Sequence, residues 1–472
     1  MSLAHSNFPA AEQILAEVGF TSLPEGWRIV RIDDLLSKDR GISVGVMYPG
    51  GHDPLGIPLI KAGDLANNRI NPNPEHRITK EKHHEYRRTE FSGGELLLSL
   101  VGDIGRCAIV PAHMAGWNSA RATAVIRLTD PTDAPYVRLC FLSLPIQHLM
   151  GAWATTTVQA TLNLKEIKQI PLPWPPKPIR DRIANIVGML EDKIELNRRM
   201  NGTLEAMARR LFKSWFVDFH PVHAKAAFRR EHPKLSNADL SRRALPNMAP
   251  EIAELFPDSF EDSTLGPIPK GWRARPLYSI ANFVNGAAFK NSDFCDPSIG
   301  KPVIKIAELK SGIDSQTKFS QKDIGPDREI HCGDTLYSWS GSPDTSLATF
   351  RWTGRDGLLN QHIFKVITEN RPDEIFAYYQ LNDLRDTLVE IARNKQTTGL
   401  GHVTVEDMKR LQVIHPASEA LKAFASNAGP IYDQSFTLSV DSLTLERTRG
   451  KLLPRLLSGE LPVESYMEVC DE

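Results

Sequence analysis

Two spacings in this chain carry residue types that could do chemistry. Asp296, followed by Glu308-Leu309-Lys310, has the carboxylate and Glu-x-Lys arrangement with which many nucleases hold a metal ion and activate water. His83-His84 could ligate a metal, although adjacent histidines in a polar stretch are usually just solvated. Other catalytic signatures are missing. Asn71-Pro72-Asn73-Pro74 lacks the Pro-Pro-aromatic order of an adenine-methylation motif, and there is no GxxxxGK phosphate loop. No Ser/His/Asp or Cys/His set stands in a recognisable context. Cys107, Cys140, Cys295, Cys332 and Cys470 form no CxxC pair, so buried free thiols are expected rather than a zinc site or a disulfide framework. The expectation is a chain without catalytic residues, metal or cofactor.

Residues suited to binding are more numerous. His76-Arg77, Lys80, Lys82, His83-His84 and Arg87-Arg88 make the densest basic cluster, of the kind that contacts phosphates strongly and without regard to sequence. Glu75, Glu81, Glu85 and Glu90 interleave with it, so a solvated loop is the alternative. Lys310, Lys318, Lys322 and Arg328 occupy a comparable place in the second half. Thr155, Thr156, Thr157 and Gln159, with Lys395, Gln396, Thr397, Thr398 and His402, form a second candidate surface for base edges or phosphates. A turn that caps the following element would serve equally well. Trp117-Asn118 and Asn360-Gln361-His362 are further candidates, since Asn and Gln can pair with adenine if they face a groove. The formal net charge of -1 means that any nucleic-acid surface must be a local patch.

The elements that must position these residues occur twice. Pro24-Glu25-Gly26-Trp27 returns as Pro269-Lys270-Gly271-Trp272, Pro58-Leu59-Ile60-Lys61 as Pro302-Val303-Ile304-Lys305, and Gly94-Glu95 as Gly333-Asp334. Asn118 pairs with Asn360, Thr156-Thr157 with Thr397-Thr398, and 164–168 with 404–409. Separations of about 240 residues imply two copies of one domain-plus-helix unit, not a short solenoid repeat. The Glu-x-Lys spacing is not repeated, because the first copy has Asp64-Leu65-Ala66. That marks the nuclease resemblance as fortuitous.

In each copy, short β-rich runs broken by Gly and Pro, with a helical stretch at 136–150 in the first, predict a mixed α/β domain with a bent sheet. The proline-rich segment 171–176 ends the first. Ile183, Leu190, Asn197, Leu204 and Leu211 then recur at seven-residue intervals, as do Phe424, Ile431, Leu438, Leu445 and Leu452, with Ile186, Val187, Ile194, Met200 and Met207 widening the first stripe. Such a seam predicts two long helices packed as an antiparallel coiled coil. Asn197 either fixes register from inside the seam or faces solvent at its edge. Pro430 and Pro454 predict a break or kink near the start and end of the second helix. The expected plan is a leader helix at 1–22, a mixed α/β domain at 23–176, a long helix at 177–219, an irregular linker at 220–265 with a short helix at 250–256, a second mixed α/β domain at 266–417, a second long helix at 418–459 and an acidic tail at 460–472. With no apolar run near the roughly 20 residues that span a bilayer, and no basic n-region in the leader, a reduced cytoplasmic setting is expected.

This pattern resembles the specificity (S) subunits of type I restriction-modification systems, over nearly the whole chain. Its most specific part runs from Arg182-Ile183-Ala184 through Asp192-Lys193-Ile194-Glu195-Leu196-Asn197-Arg198 to Leu211-Phe212-Lys213-Ser214-Trp215-Phe216-Val217-Asp218-Phe219, which is similar to the family's central helix. Phe256-Pro257-Asp258-Ser259-Phe260 before Gly266-Pro267-Ile268-Pro269 is similar to the segment preceding the family's second recognition domain. The resemblance implies a non-catalytic subunit of an adenine methyltransferase/endonuclease complex. It would have two target recognition domains related by a pseudo-two-fold repeat, each binding half of a split, asymmetric site on double-stranded DNA. The helices would fix the unread gap and dock two methyltransferase subunits, which bind S-adenosylmethionine, and through them restriction subunits.

Overall fold

Leu96–Ser99 and Thr123–Ile126 are buried at every position because they form the centre of a four-stranded antiparallel sheet. Ile42–Val44 flanks one side and Cys107–Ile109 the other. This is a computed structural model that describes residues 11–17, 20, 23–156, 160–396 and 400–463. It comprises two compact units, Met1–Lys193 with Leu445–Glu472, and Ile194–Thr444.

In the first unit a second, three-stranded sheet pairs Ile57–Ile60 in parallel with Asn118–Ser119 and antiparallel with Arg77–Ile78. Arg28–Arg31 pairs with Pro171–Trp174, tying the start of the domain to its end. Helices Ala134–Leu142 and Leu144–Trp153 cover the sheet with a core of Tyr136, Phe141, Ile146 and Met150.

The second unit repeats this arrangement. Asn282–Asn285, Ile363–Ile367, Thr335–Ser338 and Ala348–Arg351 stand in the order of their first-unit counterparts. Lys301–Ile304 pairs in parallel with Gly357–Leu359, and Arg273–Pro276 pairs with Gln412–His415. The repeat extends to single backbone positions. Gly26 and Gly271 both turn the chain at positive φ, 82° and 84°, letting Trp27 N and Trp272 N donate to Pro24 O and Pro269 O at 3.1 and 3.0 Å. Gly45 and Gly286 sit against isolated parallel bridges, Val46 with Ala120 and Ala287 with Asn360. A Cβ at either would lie 2.2 Å from a facing carbonyl oxygen, Ser119 O or Asn360 O, so glycine is a steric requirement in both copies. The bridges also correct the sequence alignment. Ala120 N donates to Ile60 O as Asn360 N does to Ile304 O, so the equivalent of Asn360 is Ala120, two residues beyond Asn118.

The long helices are Lys177–Phe216 and Ser418–Leu457, 40 residues each. They run antiparallel within each unit. In the first unit Ile183 and Val187 pack in one core with Leu453, Leu456 and Leu457, and Arg449 Nη1 lies 3.4 Å from Glu191 Oε1. In the second, Ala208, Phe212 and Trp215 pack with Leu421, Phe424 and Ala428. Between these apolar ends the seam of the second unit turns polar. Asn197, fully buried, donates from Nδ2 to Asp441 Oδ2 at 2.7 Å. Asn201 Nδ2 donates to Ser439 Oγ at 2.7 Å, and the single hydroxyl hydrogen of Ser435 is shared between Asn201 Oδ1 and Glu205 Oε1.

Four sequence expectations are corrected. The segment 220–265 is largely helical, with His220–Glu231, Asn237–Ala244 and Pro250–Ala253, and its end enters the strand pair Phe260–Ser263 with Gly266–Pro269. Lys225 is fully buried there and donates to Ala253 O and Phe256 O at 3.0 and 2.5 Å, while Val222 and Phe256 join the aromatic core around Phe216 and Trp272. Pro221 lies in a first helical turn, where the missing N–H has no intrahelical acceptor, as does Pro250 at the start of the expected short helix. Second, Pro430 and Pro454 do not interrupt the second helix. Pro430 is exposed while Ala428 and Tyr432 are buried beside it, so the Ser426 carbonyl that loses its donor lies on the water-facing side and core packing outweighs a cost of roughly 3 kcal/mol. Third, the first helix ends at Phe216, short of 219, and Phe219 at φ 49° redirects the chain. Fourth, Met200 and Met207 do not widen the seam; they are 41% and 54% exposed. Of the expected leader, Ala11–Glu17 is helical and buries Ile14 and Leu15. The remaining described leader residue is Phe20, and the tail beyond 463 lies outside the described residues.

Candidate nucleic-acid interface

The basic cluster of the first unit folds as a short helix, Lys80–Glu85, followed by a 3-10 turn, Arg87–Thr89. Thr79 caps the helix, its hydroxyl accepting from Lys82 N at 3.2 Å. Lys80, Arg87 and Arg88 project outward, and their side chains make no hydrogen bond or ion pair with another described residue. Arg127 anchors the turn from below by donating to Arg88 O at 3.2 Å and Glu90 O at 2.8 Å. Burial lowers its pKa, with Glu95 nearby opposing the shift. Arg77 and Lys82 differ from their neighbours. The guanidinium of Arg77 donates to Gly56 O at 3.0 Å, and Lys82 pairs with Glu85 at 2.6 Å. Arg77 therefore holds the strand pair together.

In the second unit the candidates also divide. Lys310 and Lys318 are exposed. Lys322 pairs with Asp293 at 2.9 Å and donates to Ala288 O, and Arg328 donates to Asn285 O and Ile324 O at 3.0 Å each. Lys395 reaches both oxygens of Asp407, at 2.6 and 2.7 Å. Burial alone would raise the Asp407 carboxyl, but hydrogen bonds from Lys395 and Thr404 outweigh it and hold the pKa below the ordinary value. Sequence reasoning treated these cations as equivalent because their acceptors are brought in by chain folding.

Thr155–Thr156 and Ala160–Thr161 form a hairpin, with Thr155 Oγ1 donating to Thr161 O at 3.2 Å. Val101 bridges Thr161 just as Ser340 pairs with His402 in the second unit. Both segments thus attach to the open end of the antiparallel sheet. Thr157, Gln159, Thr397 and Thr398 lie outside the described residues; Gln396 lies at the edge of that gap. Of the weaker candidates, Asn118 is buried and donates to Tyr86 O at 3.3 Å, while Gln361 and His362 are exposed.

The nuclease-like carboxylates have local roles. Glu308, only 8% exposed, accepts from Lys305 N at 3.0 Å and caps its own helix. Asp296 accepts from Ser298 N and Oγ at 2.8 and 2.5 Å, which lowers its pKa. No group of three or more His, Cys, Asp or Glu residues among the described residues could hold a metal ion, and no described helix is long and apolar enough to cross a membrane.

Two homologous α/β units, each with basic and polar side chains displayed outward, define a tandem-repeat protein. The model for the type I restriction modification DNA specificity domain matches the chain twice, over residues 24–206 and 269–426. The chain belongs to that family as a specificity subunit, a non-catalytic component. It is 25% identical over 329 residues to the type I restriction enzyme HindI specificity subunit of Haemophilus influenzae, covering 64% of this chain and 71% of that one. With the MjaIX specificity subunit of Methanocaldococcus jannaschii it shares 23% over 465 residues, 95% and 96% of the two chains. The crystal structure of a type I restriction-modification system S subunit from M. genitalium matches in fold with a TM-score of 0.50 at 14% identity, over 92% of this chain and 96% of that one.

Proposed function

We propose that this chain recognises a two-part, asymmetric site on duplex DNA, one unit reading each half, and that its helix pair sets the gap and docks two methyltransferase subunits that bind S-adenosylmethionine. Restriction subunits would join through them. The observation that carries this reading is the duplication itself, which reaches single backbone hydrogen bonds while leaving outward side chains different. Each 40-residue helix is about 60 Å long at about 1.5 Å per residue, against about 34 Å for one duplex turn. Lys80, Arg87 and Arg88, and Lys310 and Lys318, supply phosphate contacts in the two units.

An exposed apolar stripe supports the docking part of this reading. Within the second unit, Leu196, Met200 and Met207 are 50%, 41% and 54% exposed and recur along one face of the first long helix, to one side of the seam at about 3.6 residues per turn. An apolar stripe of this kind fits another helix.

The test is co-expression with a methyltransferase partner, followed by sequencing that maps methylated bases across the genome. A two-part methylated motif is expected. Exchanging residues 23–176 for those of another specificity subunit should alter one half only. Simultaneous change of both halves would refute modular reading.

A further inference from the structure

The open end of each antiparallel sheet carries side chains that the phosphate contacts do not use. In the first unit a groove of about 640 Å³ opens there between Val44, Leu100, Arg121, Thr161 and Asn163. Its backbone is repeated bond for bond in the second unit. Leu100 N donates to Ala122 O and Leu162 N to Leu100 O, at 2.8 and 2.9 Å; Trp339 N donates to His362 O and Val403 N to Trp339 O, at 3.3 and 2.9 Å. Arg121 N to Val46 O and Gln361 N to Ala287 O are both 2.9 Å. Residues that hold this frame keep their character, as Gly45 and Gly286 or Leu162 and Val403 do. Those on its open side do not: Val44, Leu100, Arg121 and Ala122 stand where the second unit has Asn285, Trp339, Gln361 and His362.

The chemistry displayed differs accordingly. Arg121 is exposed, and its guanidinium has no partner among the described residues. Its fork matches guanine O6 and N7 in the major groove. Arg121 lies in the turn that follows the strand of Asn118, to which the basic turn is hydrogen-bonded, so phosphate-binding and base-reading groups share one support. In the second unit Trp339 Nε1 donates to Asn285 Oδ1 at 3.1 Å, and the ring of His362 lies 5.8 Å from that of Trp339. Gln361 Nε2 is 3.3 Å from His362 Nε2. One amide hydrogen of Gln361 is thereby engaged. The other, together with Oε1, forms the donor–acceptor pair that brackets adenine N7 and N6.

We propose that these equivalent positions are the base readers of the two units, Arg121 for a guanine in one half-site and Gln361, oriented by His362, for an adenine in the other. This rests on the reading of each unit as a half-site reader. The test uses the full chain in complex with its methyltransferase partner, as wild type, Arg121→Ala and Gln361→Ala. Methylated motifs are mapped, and binding to duplexes with one substituted base pair at each motif position is measured by competition. Arg121→Ala should reduce discrimination at one guanine by about 5- to 150-fold and leave the other half unchanged. Gln361→Ala should do the same at one adenine of the opposite half. If a variant loses methylation altogether, the competition series still decides. An unaltered preference, an equal loss at all positions, or both substitutions acting on the same half would overturn the assignment. Absence of any two-part motif with the wild-type complex would instead overturn the half-site reading beneath it.

Discussion

Removing either member of the Asn197–Asp441 pair should have opposite consequences, because the two residues are buried to different extents. Asn197 is fully buried, and its Oδ1 already lacks a partner, so Asp441 supplies the one hydrogen bond recorded for its side chain. Asp441 is only partly buried and can be rehydrated. Asp441→Ala leaves the Asn197 amide unpaired in the seam, which costs about 1–3 kcal/mol. Asn197→Leu removes a buried unsatisfied oxygen and adds apolar burial of about 1.5–3 kcal/mol, against the loss of a charge-assisted hydrogen bond of similar size. Its net effect should lie between neutral and stabilising. In the Asn197→Leu background, Asp441→Ala should cost less than about 0.5 kcal/mol, giving a coupling of roughly 1–2 kcal/mol. Chemical denaturation of the four proteins, followed by far-ultraviolet circular dichroism, measures each term. A harmless Asp441→Ala, or an Asn197→Leu more damaging than Asp441→Ala, would refute the reasoning. If the pair also fixes register, Asn197→Leu should relax the spacing of the methylated motif.

Arg87→Ala and Arg88→Ala should each weaken binding to all duplexes alike and lower the salt dependence of log K by about one, whereas Arg77→Ala should act on thermal stability through its bond to Gly56 and leave the salt slope unchanged. Gly45→Ala places a methyl 2.2 Å from Ser119 O, so a loss of about 3 kcal/mol or more is expected, and Gly286→Ala should match it; limited proteolysis should localise each lesion to its own unit. Asp407→Asn should destabilise by about 1–3 kcal/mol at pH 7. Because the folded carboxyl has a lowered pKa, its contribution is full above the ordinary value and disappears as pH falls through the folded one, so in acid unfolding wild type and variant should begin to converge only below the ordinary carboxylate value. Native alkylation should modify Cys332, which is exposed, and spare Cys107 and Cys140, whose burial pushes their thiols up to about 12.

Much of the architecture was legible in the linear text because duplication makes each landmark its own control. The Pro-x-Gly-Trp turns, the strand at Pro58 and its twin at Pro302, and the seven-residue seam depend on local backbone preference and periodicity, which the chain carries without reference to distant partners. The linker was misread for a related reason. Pro221 sits in a first helical turn, where a helix tolerates it, and the fully buried Lys225 had no local mark. Pro430 failed as a breaker because the opposite face of its helix is held in an aromatic core.

The candidate site divides along the same line. Composition picked out the cations of the first domain, but only the folded chain separates Arg87 and Arg88, which are free to meet phosphate, from Arg77, Lys322, Arg328 and Lys395, which bond to their own unit. The sequence by itself determined that the protein is a duplicated α/β chain with paired long helices, since repeats and periodicities are properties of residue order. Tertiary structure decided that Asn197 is buried against Asp441, that Asn360 answers to Ala120, and that Arg121 and Gln361 occupy one position. Hydrogen-bond register and solvent exposure arise from residues far apart in the chain, and no local pattern encodes them.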